Sequence, residues 1–154
     1  DKPSRNAESK AALSDLGIET IASLPELLRK ADIVSVHVPS APETKGMINA
    51  EFLSDMKPGT VLINTSRGDV VEESALLSAM DEKGIRAGLD VYADEPAVSE
   101  GEFSSALASH PNTCGTHHIG ASTEQAQSAV SEGVLQIINT FSEGKILHCV
   151  NGQA

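Results

Sequence analysis

Three side chains of this sequence have the types and the flanks of a reactive site: Arg67, Glu95 and His118. The stretch Val61-Leu-Ile-Asn-Thr-Ser-Arg67-Gly68-Asp-Val-Val71 is an apolar run that breaks at Arg67 and Gly68 before an acidic, helix-like segment. A strand that carries a guanidinium to the carboxyl edge of a sheet creates an anion site, because the planar fork of Arg matches a carboxylate or a phosphate. Two further segments share this design: Ala87-Gly-Leu-Asp90-Val-Tyr-Ala-Asp-Glu95-Pro96 and Thr113-Cys-Gly-Thr-His-His118-Ile-Gly120. Arg, Glu and His thus arrive in order at three successive strand ends and together read as one active site. Singly, each has an ordinary role as a surface ion-pair partner, a solvated loop acid or a hydrogen-bonded histidine. Their order, flanks and shared position favour function.

The elements that must position these residues alternate. Apolar, β-branched runs at Asp32–Val38, Thr60–Asn64, Ala87–Tyr92 and Asn112–Thr116 are expected as strands, separated by helix-like stretches. Such alternation specifies an α/β fold with a parallel, doubly wound sheet of the Rossmann type. Ser23-Leu-Pro25-Glu26 supplies an N-cap followed by proline in the first turn, and Glu72-Glu73 precede Leu76, Leu77 and Met80 at helical spacing. A last, long helix is expected from about Ser122 to Ser142. Its stripe of Ala126, Ala129, Val130, Val134, Ile137, Ile138 and Phe141 suits core packing or a subunit contact, and Glu143-Gly144-Lys145 ends it with a left-handed glycine cap. In open α/β sheets ligands collect beyond the carboxyl ends of the strands, where Arg67, Glu95 and His118 all fall.

The totals exclude several function classes. A chain of 154 residues can bury a real core, and a formal net charge of -11 opposes association with nucleic acid or with anionic membrane surfaces. Neither is expected as a partner. No apolar run reaches membrane-spanning length, the first residues lack a secretory core, and a cytoplasmic location is expected. Cys114 and Cys149 form no Cys-x-x-Cys, which favours a reducing compartment and leaves a disulfide between them as the alternative. No metal is expected. The cluster His110 to His118 lacks the paired ligands of separated knuckles that closed zinc sites use.

No Gly-x-Gly-x-x-Gly occurs in the chain. If the sequence is the later part of a dinucleotide-binding fold, Asp1 would accept hydrogen bonds from ribose hydroxyls, and the phosphate-binding turn would lie upstream. The chain is therefore expected to be a segment of a longer protein. In that arrangement a short strand near Gly17-Ile-Glu-Thr20 would have lost its neighbour, and Ile33–Val38 would present an unpaired apolar edge.

Taken together, these motifs closely resemble the nucleotide-binding domain of the D-isomer-specific 2-hydroxyacid dehydrogenases, over nearly all 154 positions. The resemblance implies NAD as cofactor and a small 2-hydroxy acid as substrate. It implies Arg67 as the substrate-binding arginine, Glu95 as the catalytic carboxylate and His118 as the acid/base. The chemistry suits them: oxidation removes a hydroxyl proton as hydride leaves for the nicotinamide, so a group titrating near neutrality must touch that oxygen. Cofactor contacts are implied at Asp1, His37, Val38, Pro39, Thr65, Ser66, Arg67, Asp90, His118, Ile119, Gly120 and Ala121. A carboxylate at Asp1 favours NAD over NADP, since it repels a 2′-phosphate.

Where the family usually has proline before the histidine, this sequence has His117, which leaves His117 as the alternative acid/base. His118-Ile-Gly-Ala-Ser-Thr-Glu-Gln-Ala-Gln127 and Cys149-Val-Asn-Gly-Gln-Ala154 resemble the branch that acts on 3-phosphoglycerate in serine synthesis. Glyoxylate or hydroxypyruvate reduction, or a non-catalytic NAD-sensing corepressor role, are the alternatives. The resemblance also divides the chain into residues 1–121, the later part of the NAD-binding domain, and residues 122–154, a helix and tail leading toward a substrate-binding domain. The rest of a parent chain and a homo-oligomeric partner are implied as well.

Overall fold

The computed structural model describes residues 12–96 and 103–149. Along the chain run α1 (Leu24–Lys30), β1 (Ile33–Val36), α2 (Ala50–Asp55), β2 (Val61–Asn64), α3 (Glu73–Lys83), β3 (Arg86–Leu89), β4 (Thr113–Gly115) and α4 (Glu124–Ser142). The strands form one parallel sheet in the order β1-β2-β3-β4. β1, β2 and β4 lie within the expected runs and β3 begins one residue early; β2 ends at Asn64 as expected, and the other three end sooner. The residues beyond them turn away as loops at the carboxyl edge. The fold is the Rossmann-type α/β sheet that the alternation specified.

Period-two patterning assigns each face of the sheet. Val34, Val36, Leu62, Ala87 and Leu89 are buried, and their register places them on one face, covered by Leu28, Phe52, Leu53, Leu76 and Met80 from α1, α2 and α3. The other face carries Ile33, Val61, Ile63, Arg86 and Gly88 and is more open, with Ile33 62% exposed. Among the described residues β1 is the sheet's edge, as expected for an apolar strand without a preceding neighbour.

The helix ends follow their local chemistry. Ser23 Oγ accepts from Glu26 N–H at 3.4 Å with Pro25 inside the first turn, and Gly84, at φ +65°, closes α3. The short α2, which the sequence reading did not single out, begins where Asn49 Oδ1 accepts from Phe52 N–H at 3.0 Å. One expectation is corrected. Gly17–Thr20 is not a strand: Ile18 N–H bonds Leu13 carbonyl and Gly17 N–H bonds Ser14 carbonyl, both at 2.9 Å, with Gly17 at φ +70°. This paired closure ends a preceding helical turn and uses the N–H groups of Gly17 and Ile18.

The chain divides into two compact units, Asp1–His117 and His118–Ala154. In the second, Thr123 Oγ1 caps α4 by accepting from Ala126 N–H at 3.2 Å, and Gly144 at φ +77° follows its end. No residue of α4 is buried, and its apolar stripe is exposed apart from the half-buried Ala126.

Candidate active site

Parallel pairing brings the carboxyl ends of β1, β2 and β3 to the same edge, so three loops open side by side: His37–Pro39, Thr65–Arg67 and Asp90–Glu95. The middle loop is folded by Asn64, the last residue of β2, which is fully buried. Its Nδ2 donates to the Arg67 carbonyl at 2.9 Å, while its Oδ1 accepts from Ser66 N–H at 3.0 Å and from Ser66 Oγ at 2.7 Å. A side chain that imitates a backbone turn in this way fixes where the following arginine emerges. Arg67 is exposed, and its Nη1 donates to the Ser66 carbonyl at 2.6 Å. Among the described residues no carboxylate pairs with this guanidinium, so an incoming anion meets no internal competitor.

The Arg67 and Glu95 loops are packed together. Gly68 lies so close to the backbone carbonyl of Tyr92 and the nitrogen of Ala93 that a Cβ would overlap them. The loop bearing Glu95 is bound on both sides of that contact: Asp90 N–H donates to the Asn64 carbonyl at 3.1 Å, and Ala93 N–H donates to Glu73 Oε1 at 3.0 Å. Glu95 Oε2 turns back to accept from Tyr92 N–H at 3.4 Å. Tyr92 is buried against Phe103, with ring centroids 5.1 Å apart. Burial raises the Tyr92 phenol above its ordinary range, and the negative charges of Glu73, Asp90 and Cys114 push it the same way.

Thr65 and Asp90 line a depression of about 610 Å³ on the sheet, with Ile63, Gly88 and Leu89 in its wall. Asp90 is buried, and its Oδ1 accepts from Thr116 Oγ1 at 2.5 Å. Arg67 and Glu95 do not line this depression. The first loop is joined to the segment after Gly68 by Ser40 Oγ, which donates to Asp69 Oδ2 at 2.6 Å. In that loop His37 and Pro39 are exposed, Val38 is half-buried, and Ser35 Oγ lies 2.8 Å from His37 Nε2.

His118, Ile119, Gly120 and Ala121 are exposed and open the second unit. His118 has φ +60°, a left-handed conformation uncommon outside glycine. Asp1 lies outside the described residues. Cys114 is a free, exposed thiol. Asn64 and Glu73 escaped the sequence reading. A polar residue at an inward position of an apolar strand was the available signal for Asn64, whereas the partner of Glu73 lies 20 residues away and leaves no local mark.

Residues 2–120 match the model of the D-isomer specific 2-hydroxyacid dehydrogenase, NAD binding domain. The chain belongs to this family. The D-3-phosphoglycerate dehydrogenase of Escherichia coli K12 is 41% identical over 133 residues, which cover 85% of this chain and 32% of that protein. The chain thus spans about a third of this 2-hydroxyacid dehydrogenase. A D-lactate dehydrogenase from a Sporolactobacillus species superposes with a TM-score of 0.81 at 34% identity, covering all of this chain and 48% of the other. The D-lactate dehydrogenase of Aquifex aeolicus, solved with NAD and lactic acid, gives 0.75 at 32% identity, covering 93% of this chain and 45% of the other. NAD is the cofactor of the matching 2-hydroxyacid dehydrogenase domain. Among the described residues no helix is long and apolar enough to cross a membrane, and no three His, Cys, Asp or Glu side chains gather as they would around a metal ion.

Proposed function

We propose that this chain is the NAD-binding segment of a longer, homo-oligomeric cytoplasmic enzyme that oxidises 3-phospho-D-glycerate to 3-phosphooxypyruvate, the entry to serine synthesis. The observation that carries the reading is the contact of Gly68 with Tyr92, which holds the Arg67 and Glu95 loops together at the carboxyl ends of β2 and β3. The preference for 3-phosphoglycerate over another 2-hydroxy acid rests on the 41% identity to the E. coli enzyme of that name. On this reading residues 1–121 complete the NAD-binding domain, and residues 122–154 lead toward a substrate-binding domain.

The donor set fits the nicotinamide end of NAD. Thr65 offers a hydroxyl and Asp90 a carboxylate beside an apolar wall, which suits a carboxamide on a flat ring. Ser66, Arg67 and residues His118 to Ala121 complete that end, while Asp1, His37, Val38 and Pro39 serve the adenosine end. Bound NAD supplies the hydride acceptor. The chain's own side chains do the rest: Arg67 grips the substrate carboxylate in two parallel hydrogen bonds, His118 removes the hydroxyl proton, and Glu95 orients and charge-balances the imidazole.

The test is turnover of the full-length protein with 3-phosphoglycerate and NAD, beside its His118→Ala variant. The variant is expected to keep NAD affinity and lose about 10²–10⁴-fold in kcat, the ordinary weight of general acid/base catalysis. Undiminished turnover by the variant would remove His118 from the reaction. A better rate with glyoxylate or hydroxypyruvate would reassign the substrate.

A further inference from the structure

We infer that Glu73 is a positioning residue for Glu95, a role that rests on the reading of Glu95 given above. Glu73 is the first residue of α3, where an acidic side chain would ordinarily be explained by the positive end of the helix dipole. Here it does something more specific. Its Oε1 accepts from the backbone N–H of Ala93, 20 residues further along and two before Glu95. The bond, at 3.0 Å, has a carboxylate as its acceptor and so is charge-assisted.

Asp90 N–H continues the sheet ladder to Asn64, and the Tyr92 carbonyl abuts Gly68. Glu95 Oε2 itself accepts from Tyr92 N–H at 3.4 Å. Two successive backbone donors therefore meet two different carboxylates, Tyr92 meeting Glu95 and Ala93 meeting Glu73. Because Glu73 is half-buried on a regular helix whose Leu76 and Met80 are fixed in the core, it anchors the loop to a rigid element. Glu73 thereby ties the backbone two residues before Glu95 to α3, next to the Gly68 contact. The nearby negative charge also registers at Tyr92, whose phenol is raised in part by Glu73.

The experiment is a double-mutant cycle in the full-length enzyme with Glu73→Ala, Glu73→Gln, Glu95→Gln and the pair Glu73→Ala/Glu95→Gln. Displacement of a reacting group by about 1 Å can lower turnover 10²-fold, so Glu73→Ala is expected to lose roughly 10- to 100-fold in kcat at unchanged NAD affinity. Glu73→Gln keeps an oxygen acceptor for Ala93 N–H and is expected to stay within about threefold of the parent, since much of the bond survives. If Glu73 acts through Glu95, the pair is no slower than Glu95→Gln alone. Strictly multiplicative losses, or a Glu73→Ala enzyme with parental kcat, would overturn the inference while leaving Glu95 catalytic. Should Glu73→Ala fail to fold, Glu73→Asp, one methylene short of Ala93, takes its place, and parental kcat in that variant counts equally against the inference. Full activity of Glu95→Gln would bring down the reading beneath it.

Discussion

Gly68 meets the backbone carbonyl of Tyr92 at a separation that admits no Cβ. The residue after Arg67 and the middle of the loop bearing Glu95 therefore touch through main chain alone. Gly68→Ala must push the loops apart, whereas Gly88→Ala, whose nearest foreign atom is Ile63 Cγ1 at 3.8 Å, meets only ordinary contact. In the full-length enzyme Gly68→Ala is expected to lose on the order of 10²-fold in kcat/KM, the scale of a small misplacement of reacting groups. Gly88→Ala should change it little. Equal kinetics for the two variants would show that the contact sets nothing in the site.

Tyr92 is the sole tyrosine of the chain, so its ionisation can be followed by phenolate absorbance in a protein lacking other tyrosines or corrected for them. Burial first, then the charges of Glu73, Asp90 and Cys114, raise the native phenol above 10.0. The native state thus holds this proton more tightly than the unfolded chain. The associated stability is fully present below pH 10.0 and is lost as pH rises through the native value. Glu73→Gln removes one of the raising charges, so the midpoint should move down. A native midpoint at or below that of the denatured protein would contradict the burial of the ring.

The sheet was legible because β1 and β2 are short apolar runs with β-branched residues, and α3 because Leu76 and Met80 fall on one inward face. Other elements left weaker marks. The six residues of α2 span under two turns, too few for a period to emerge, and only the Asn49 cap announces them. Gly17–Thr20 had the composition of a strand but serves as a helix closure, a choice made by the positive φ of Gly17. In the site, the strand ends brought the loops bearing Arg67 and Glu95 together. Their supports were hidden, because Glu73 reaches Ala93 and Ser40 reaches Asp69 only after the crossovers have formed.

The bond from Ser40 Oγ to Asp69 Oδ2 ties the loop after β1 to the segment following Gly68. The other carboxylate oxygen, Oδ1, is buried without a hydrogen-bond partner among the described residues. Removing this donor loses a charge-assisted but solvent-exposed bond, so Ser40→Ala should destabilise the full-length protein by about 0.5–1.5 kcal/mol. In an Asp69→Asn background the same change should cost less, because the bond lost is not charge-assisted. Urea midpoints read both values, and equal losses in the two backgrounds would refute this account of the pair.

Asn64 sets the exit direction of Arg67 through three hydrogen bonds made by one fully buried amide. Asn64→Ala abandons the Arg67 carbonyl and both Ser66 donors, for which a loss of about 2–3 kcal/mol is expected from unsatisfied buried groups. Asn64→Asp separates the two halves of the turn. A carboxylate still accepts from Ser66 but has no N–H for the Arg67 carbonyl and repels it, so the guanidinium should swing while the Ser66 side holds. The expected signature in the full-length enzyme is a raised KM for the hydroxy acid at unchanged NAD affinity, since the missing constraint lies on the arginine. A variant that lowers Tm and leaves that KM untouched would mean that Asn64 stabilises the strand end without steering Arg67.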